Sequence, residues 1–590
     1  MTKCSTFRHL YYIDHGSVIL SCVFWPNLIY WYMRNRTSPN PIGHMLVGGL
    51  IAGGVYKLLV PLDSLSDPVG FFALGALFLA GVWTFGIGVL DLLRVLLLMI
   101  ERRRAETPTG IFGEAAFADL RDCADNGLTD PEGVFLGALD GVPLFFNGKA
   151  HLLTVAPARQ GKGTSVVIPN LLHYSGSVFV TDPKGELAAI TARHREQEFG
   201  HKVIFLNPWK LNGMPCHRYN PLQPLIDMAV DPRRHHELGD AARANAFMLE
   251  PEPAGGDKNR FFRDGARNII EAIQLHLATR GRPERCTLPE LWKIIKNTDL
   301  LGLTLADMAQ SDALDGVVAA YGSELLNQFE DGARQFEDFR NGASNALQVF
   351  RPGGPLADAV SGTDARFEDL KACPATVYVM IPAERISAYG MWLAMVSRHA
   401  INAVAAERSN QRVLFLLDEF ANMGKIAGFA EALTLLPGYG VRVWVIVQDL
   451  SHLAQVYGRE TANIILSQSE VKQFFAVQDF DLAQRLSRLL GERSIITRSY
   501  NLGQRADDEI GVSASERGVP LMLPPEIMTL PDDRQLLFVK AAPPVLAAKA
   551  RYWDVAPWRD WADPNPMEGD HPRSGKPVFR LRYSGTRSKS

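Results

Sequence analysis

Cysteine is scarce and unpatterned: Cys4, Cys22, Cys123, Cys216, Cys286 and Cys373 are the only six in 590 residues, with no C-x-x-C pair. That spacing excludes a disulfide scaffold and a cysteine metal site, and it implies a reduced, cytosolic compartment for most of the chain. Histidine adds nothing, because the adjacent His235 and His236 fall in a polar stretch that reads as solvated surface, and no structural metal is expected. An excess of one charge is missing too. Sixty-one Lys and Arg against 64 Asp and Glu leave a formal charge of -3, so nucleic acid, if handled, must meet a local basic surface. At 590 residues the chain exceeds what one hydrophobic core organises, and several domains are expected.

Long apolar runs are present near the start. Residues 69–90 carry no charge and are long enough to cross the hydrocarbon core as a helix. Residues 42–62 form a second candidate span, broken only by His44 and by Lys57, whose long stem can reach the interface. Arg34 and Arg36 before the first span and Arg102, Arg103 and Arg104 after the second put both ends on the cytoplasmic side. Residues 16–33 are apolar but contain Pro26, and read as a third span or an interfacial segment; no cleavage site marks them as a signal peptide. Gly49 and Gly53 in the first span, with Gly81, Gly86 and Gly88 in the second, suit close helix packing, within the chain or between subunits.

Beyond the basic stop, short β-rich runs alternate with helical stretches, which implies a parallel sheet with helices on both faces. Strands are expected at 151–156, 177–181, 202–206, 376–381, 412–417, 441–447, 472–477 and 536–540. Between about 225 and 345 the pattern turns helical, as in RNIIEAIQLHLATR and LPELWKIIKN. The expected division is an anchor over 1–105, a nucleotide-binding domain over 106–224 and 346–562, an all-helical insertion over 225–345, and a tail over 563–590. That tail is basic, with no acid after Asp570, and reads as disordered or docked on a partner.

In HLLTVAPARQGKGTSVVIPNLL a strand runs into a tight loop and then a helical stretch. Ala156, Pro157, Ala158, Arg159, Gln160, Gly161, Lys162, Gly163, Thr164 and Ser165 are expected to wrap phosphates, with Lys162 on the β/γ oxygens. The loop departs from GxxxxGK[ST] twice, at Ala156 and at Gly163, so Thr164 is the expected substitute for the missing hydroxyl on Mg2+. VLFLLDEF puts Asp418 and Glu419 at a strand end, where Asp418 can hold Mg2+ through water and Glu419 can polarise the attacking water. The strand VRVWVIV ends in Gln448, a polar amide at the same edge.

In order, APARQGKG, VFVTDPKGEL, NPWKL, RYNPL, RFFRDGARNII, LLDEFANMG, GVRVWVIVQDLSHL and PLMLPPEIMTLP cover most of the cytoplasmic body. This set resembles the TraG/TraD-type coupling proteins of conjugation and type IV secretion. The resemblance implies an α/β, RecA-like P-loop NTPase with an inserted all-helical domain and an N-terminal transmembrane anchor in the bacterial inner membrane, multi-pass and assembled as a homo-hexamer. It implies ATP and Mg2+ as cofactors, with Lys162 the phosphate lysine, Asp418 and Glu419 the metal and water-activating pair, and Gln448 the nucleotide sensor. Implied partners are channel subunits, membrane lipid, and relaxase-bound single-stranded DNA, effector proteins, or both. Asp182, Lys184 and Glu186 match the DPKGE signature, for which a purely structural cap or turn at the strand end is the competing reading. Arg442 and Arg351 are the candidates for an arginine that completes a neighbour's site. An FtsK-like DNA pump and a non-hydrolysing membrane receptor are the rival readings; the helical insertion argues against the first, and joint retention of Lys162, Asp418, Glu419 and Gln448 against the second.

Overall fold

Runs of β-branched and aliphatic residues too uniformly apolar to leave a wet face build one eleven-stranded sheet. The computed structural model describes residues 45–46, 48–53, 68–253, 259–332, 334–501, 511–569, 579 and 581. Two units divide the chain, 1–114 with 494–519 and 115–493 with 520–590.

The larger unit holds β1 (Val134–Leu139), β2 (Val142–Phe146), β3 (His151–Val155), β4 (Ser177–Asp182), β5 (Lys202–Leu206), β6 (Ala375–Met380), β7 (Val413–Leu417), β8 (Val441–Val447) and β9 (Ser469–Phe474). After β10 (Glu492–Asn501) and β11 (Gly511–Pro520), which pair in a separate two-stranded sheet, come β12 (Arg534–Val539) and β13 (Val545–Ala548). Their order across the sheet is β2-β1-β13-β12-β9-β3-β8-β7-β4-β6-β5. From β9 to β5 all neighbours run parallel, as the apolar runs implied. The other four strands are antiparallel, which corrects the wholly parallel expectation for the strand near 536–540. β1 and β2 turn on Asp140 and Gly141, both with positive φ (47° and 80°), a two-residue hairpin loop that follows the sheet's twist. Where β1 bulges, Gly137 has φ 149° and a Cβ there would lie 2.4 Å from Gln535 Nε2.

A buried polar ladder joins the parallel and antiparallel parts. Trp444 Nε1 donates to Thr154 Oγ1 (2.8 Å), Thr154 to Gln473 Oε1 (2.7 Å), and the Gln473 and Gln535 amides to the Leu136 carbonyl (2.7 Å each). Every member has a partner, so the network specifies register without leaving an orphaned group.

Helix α1 (Pro68–Glu106) belongs to the smaller unit; in the larger one α2 (Ile168–His173) and α3 (Glu186–Gln197) follow β3 and β4. Between β5 and β6 come, among others, the helices α4 (Gln223–Val230), α5 (His235–Leu249), α6 (Arg260–Thr279), α7 (Leu288–Lys296), α8 (Thr298–Ala309), α9 (Val317–Glu330) and α10 (Arg334–Ala346). Local chemistry sets their starts: Thr287 and Asn297 accept the Glu290 and Leu300 amides as N-caps of α7 and α8. Helix α11 (Ile386–Ala406) covers the sheet and meets α5 through a buried chain, Tyr219 hydroxyl to His399 Nδ1 at 2.8 Å and His399 Nε2 to Asn245 Oδ1 at 3.1 Å. Burial pushes the His399 imidazole down to about 4, so it is neutral and relays the bond as donor and acceptor.

Part of the tail expected to be disordered or docked on a partner is core. Phe579 is buried with its ring centroid 5.6 Å from Phe135 and 5.8 Å from Trp558, because an aromatic in a basic segment still gains by leaving water.

In the smaller unit α1 is 39 residues long, about 58 Å, and passes the expected end at residue 90. Its stretch Gly75–Leu97 is, among the described residues, the one helix long and apolar enough to cross a membrane. Leu79, Trp83, Leu90 and Leu96 stand exposed on it, a surface that water does not tolerate without cover. The span expected at 42–62 falls largely outside the described residues, and that at 16–33 wholly so. Where 48–53 is described it is helical and lies on α1: a Cβ on Gly48 would sit 2.8 Å from the Gly81 carbonyl, and one on Gly81 2.7 Å from the Ala52 nitrogen. The expected Gly49–Gly53 pair is therefore not this contact. A Cβ at either meets nothing within 4 Å, since one residue along a helix rotates the face by about 100°. In the same unit Glu516 accepts the amides of Thr109 and Gly110 at 2.9 and 3.0 Å, tying β11 to the segment after α1.

Candidate nucleotide-binding site

The loop after β3 explains its own departures from pattern. Ala156 is fully buried and still paired, its amide donating to the Val447 carbonyl at 2.9 Å, so that position needs no glycine. The left-handed residues are Arg159 (φ 64°) and Gly161 (φ 82°). Pro157, Ala158 and Gln160 complete the turn, and Lys162 caps a π-turn, Gly163–Val167, that runs into α2. At Gly163 a Cβ would meet only Glu186 Oε1, at 3.8 Å, so glycine is not sterically forced there either. Amides of a loop wound this way converge on one point, as an anion requires.

Sheet order brings the other groups in. β8 lies beside β3 and β7 beside β8, so their carboxyl ends deliver Gln448, Asp418 and Glu419 next to Lys162. Lys162 Nζ forms an ion pair with Glu419 Oε1 and lies 3.7 Å from Asp418 Oδ1. Gln448 Nε2 donates to both Glu419 oxygens (2.9 and 2.8 Å), and Asn422 Nδ2 to Oε2 (2.7 Å). Glu419 takes a left-handed backbone, φ 54°, with its amide on Asp418 Oδ1 at 2.9 Å. A non-glycine residue held there turns its carboxylate back over the loop, and such strain collects at functional sites.

The two acids sit in different fields. Burial raises Asp418 to about 6, against the pull of Lys162 and with a push from Glu419. Glu419 is lifted by burial but more strongly lowered by the Lys162 charge and by hydrogen bonds from Lys162, Gln448 and Asn422, for a net downward shift. Glu419 is thus the carboxylate kept ionised, fully supplied with donors, and Asp418 the one nearest to neutrality.

Thr164 and Ser165 remain the hydroxyls of the loop. Thr164 Oγ1 donates to the Gly161 carbonyl at 3.2 Å, turned on the loop itself, and Ser165 is buried. Asp182 serves another purpose: wholly buried, it accepts the Ala188 amide at 2.9 Å and caps α3, and burial raises its carboxyl to about 7. Lys184 is exposed, and Glu186 opens α3 facing the loop. Arg442 stands at the amino end of β8, about 20 Å along the strand from Gln448, and Arg351 is in an exposed loop after α10.

Two residues that support the site were missed by sequence reasoning. Lys549, just past β13, donates to the Gln160 carbonyl at 3.0 Å and sits 4.7 Å from the Phe475 ring centroid. It lies 389 residues from Gln160, and no local signal marks it. Asn422, three residues after Glu419 in DEFAN, was within reach of the motif itself.

A family model described as type IV secretory system conjugative DNA transfer matches residues 118–574. Among curated proteins the chain is similar to VirD4 of Rhizobium rhizogenes, 28% identical over 70% of this chain and 60% of that protein. It is also similar to the conjugal transfer protein TraG of Escherichia coli, 26% identical over 76% of this chain and 69% of that protein. The chain thus spans about 60% of the length of the VirD4 relatives it matches. Among solved structures it is similar to the bacterial conjugative coupling protein TrwBdeltaN70, TM-score 0.55 at 17% identity, over 75% of this chain and 95% of that one. It is equally similar, at TM-score 0.55 and 17% identity over 75% and 96%, to the plasmid coupling protein TrwB in complex with the non-hydrolysable ATP analogue ADPNP. At that identity the likeness speaks for the fold.

Proposed function

This chain belongs to the type IV secretory system conjugative DNA transfer family, and on that premise we propose that it is a coupling-protein ATPase. It binds ATP on the 156–165 loop and uses hydrolysis to pass relaxase-bound single-stranded DNA, effector proteins, or both, to a type IV secretion channel. The observation that carries this reading is the meeting of Lys162, Asp418, Glu419 and Gln448 at three adjacent strand ends.

Each residue has a task its chemistry suits. Lys162, an ammonium on a flexible stem, exchanges Glu419 for the β/γ phosphate oxygens. Release of that pair frees Glu419, an ionised carboxylate, to accept a proton from the attacking water. Gln448, bonded to Glu419 through its amide, links the state of that carboxylate to β8 and to Asp449, which caps the next helix by accepting the Ser451 amide at 2.8 Å. The hard oxygen donors of Asp418 and of Thr164 or Ser165 fit Mg2+, whose charge would offset that developing on the transferred phosphoryl group. TrwB, described as bound to ADP and Mg2+ in another solved structure, supports that pairing of cofactors.

Helix α1 anchors the protein in the bacterial inner membrane, and the helical residues 48–53 packed on it through Gly48 and Gly81 support a second crossing and a multi-pass anchor. A homo-hexamer around the substrate, in contact with channel subunits and lipid, completes the reading. It is tested by steady-state ATP hydrolysis of the detergent-purified protein with and without single-stranded DNA, beside Lys162→Ala and Glu419→Gln. Turnover stimulated by DNA and lost in both variants is expected; absence of turnover in the wild type despite ATP binding would leave a non-hydrolysing receptor.

A further inference from the structure

The opposite edge of the sheet carries an unexplained concentration of positive charge. At the amino ends of β3, β7 and β8 a cleft of about 450 Å³ opens, lined among others by Lys149, Arg408, Arg412, Arg442, Tyr439 and a single acid, Glu407. Lys149, Arg408 and Arg412 are exposed at its rim, whereas Arg442 is 5% exposed in its wall.

Beneath it lies a fifth cation. Lys371, 3% exposed, donates to the carbonyls of Gln411 (2.9 Å) and Tyr439 (2.6 Å), and so clamps together the two loops that form the cleft. Arg442 donates to the carbonyls of Phe146 and Gly148, and its Nε has no partner among the described residues. Carbonyl oxygens satisfy donors but do not cancel charge. Burial alone lowers Lys371; burial first and then Arg412 lower Arg442, with the Tyr174 hydroxyl opposing, so no carboxylate among the described residues offsets either.

Arg195 shows what a purely structural buried cation looks like here. It is fully buried, with its guanidinium on the carbonyls of Leu171, Tyr174 and Gly176, the Thr376 hydroxyl and the His201 ring. Lys371 and Arg442, by contrast, stand behind an open cleft whose rim adds three more cations, so their field emerges into it through low-dielectric walls.

We propose that this cleft is a second phosphate-binding site, independent of the 156–165 loop, which takes phosphate esters. The length of β8 keeps it about 20 Å from Gln448, so the phosphates are not those of the nucleotide on the same loop. They belong to a nucleic-acid strand or to a nucleotide carried by another molecule. Exposed Arg guanidinium forks suit phosphate oxygens, and Tyr439, 49% exposed at the rim, offers a ring face for a base. The inference goes beyond the ATPase reading and does not depend on it.

The test uses the full chain in detergent carrying Lys162→Ala, to weaken phosphate binding at the loop. Binding of a fluorescein-labelled oligothymidylate and of tripolyphosphate is titrated against salt, with and without the exposed pair Arg408→Ala/Arg412→Ala. Oligothymidylate affinity should fall about tenfold, and the salt slope should shrink by about 1.4, as for two lost single-strand phosphate contacts. Glu407→Gln should strengthen binding two- to threefold, by removing the one acid. Loss of tripolyphosphate binding alone identifies a nucleotide as the phosphate source and upholds the site. If the double variant melts like its parent and binds both probes equally well, or if Glu407→Gln strengthens neither, the proposal is overturned. Failure of the wild type to hydrolyse ATP would count against the motor and leave these results standing.

Discussion

Asp182→Asn separates a helix cap from a chemical role within DPKGE. Asn keeps an oxygen to accept the Ala188 amide and removes the charge, so the cap of α3 survives. The sign follows from the direction of the shift. A carboxyl raised from 3.8 to about 7 by burial makes the folded state the better proton binder, so stability is fully present below the unfolded value and declines as pH rises through that window. The whole shift corresponds to ~4 kcal/mol, of which roughly 3 kcal/mol falls above pH 5. Asn does not titrate. The variant's melting temperature relative to wild type should therefore rise by a few degrees between pH 5 and pH 8 and level off above, as read by scanning fluorimetry. ATP turnover should persist. A variant whose melting parallels wild type at every pH but whose turnover is abolished would refute the argument and give Asp182 a part in the chemistry.

Glu419→Gln should cut ATP turnover about a hundredfold or more while nucleotide still binds, checked by phosphate release beside equilibrium binding. Lys549→Met keeps a long apolar stem over Phe475 and removes the cation from the Gln160 carbonyl, so the Michaelis constant for ATP should rise several-fold with a smaller change in kcat. Gly137→Ala drives a Cβ into Gln535 and the Ala548 carbonyl at the β1 bulge, and should cost about 1–3 kcal/mol by thermal unfolding. A neutral result there would mean the polar ladder relaxes more freely than its closed bonding implies.

By itself the sequence determined the pieces whose physics is local. Strands such as VRVWVIV and VLFLL are legible because a buried parallel strand needs apolar residues on both faces, and the turn at 156–165 because its glycines fall between a strand and a helix. The Asp140–Gly141 hairpin was legible too and was passed over, since its strands are short and lie outside the parallel pattern. Of the glycines in the two apolar runs, Gly81 meets the helix at 48–53 and Gly49 and Gly53 do not, since Gly48 and Gly49 are equivalent in composition and differ only in the side they present. Tertiary structure alone decided the rest. Lys549 reaches Gln160, Phe579 returns to Phe135, and Lys371 ties the loop at 411 to that at 439, each across a separation on which neighbouring residues carry no information. Whether an acid is a cap, a base or a metal ligand is likewise a matter of what surrounds it. Asp182 and Asp418 both end buried strands, and only the order β3-β8-β7-β4 puts one beside Lys162 and leaves the other to hold α3.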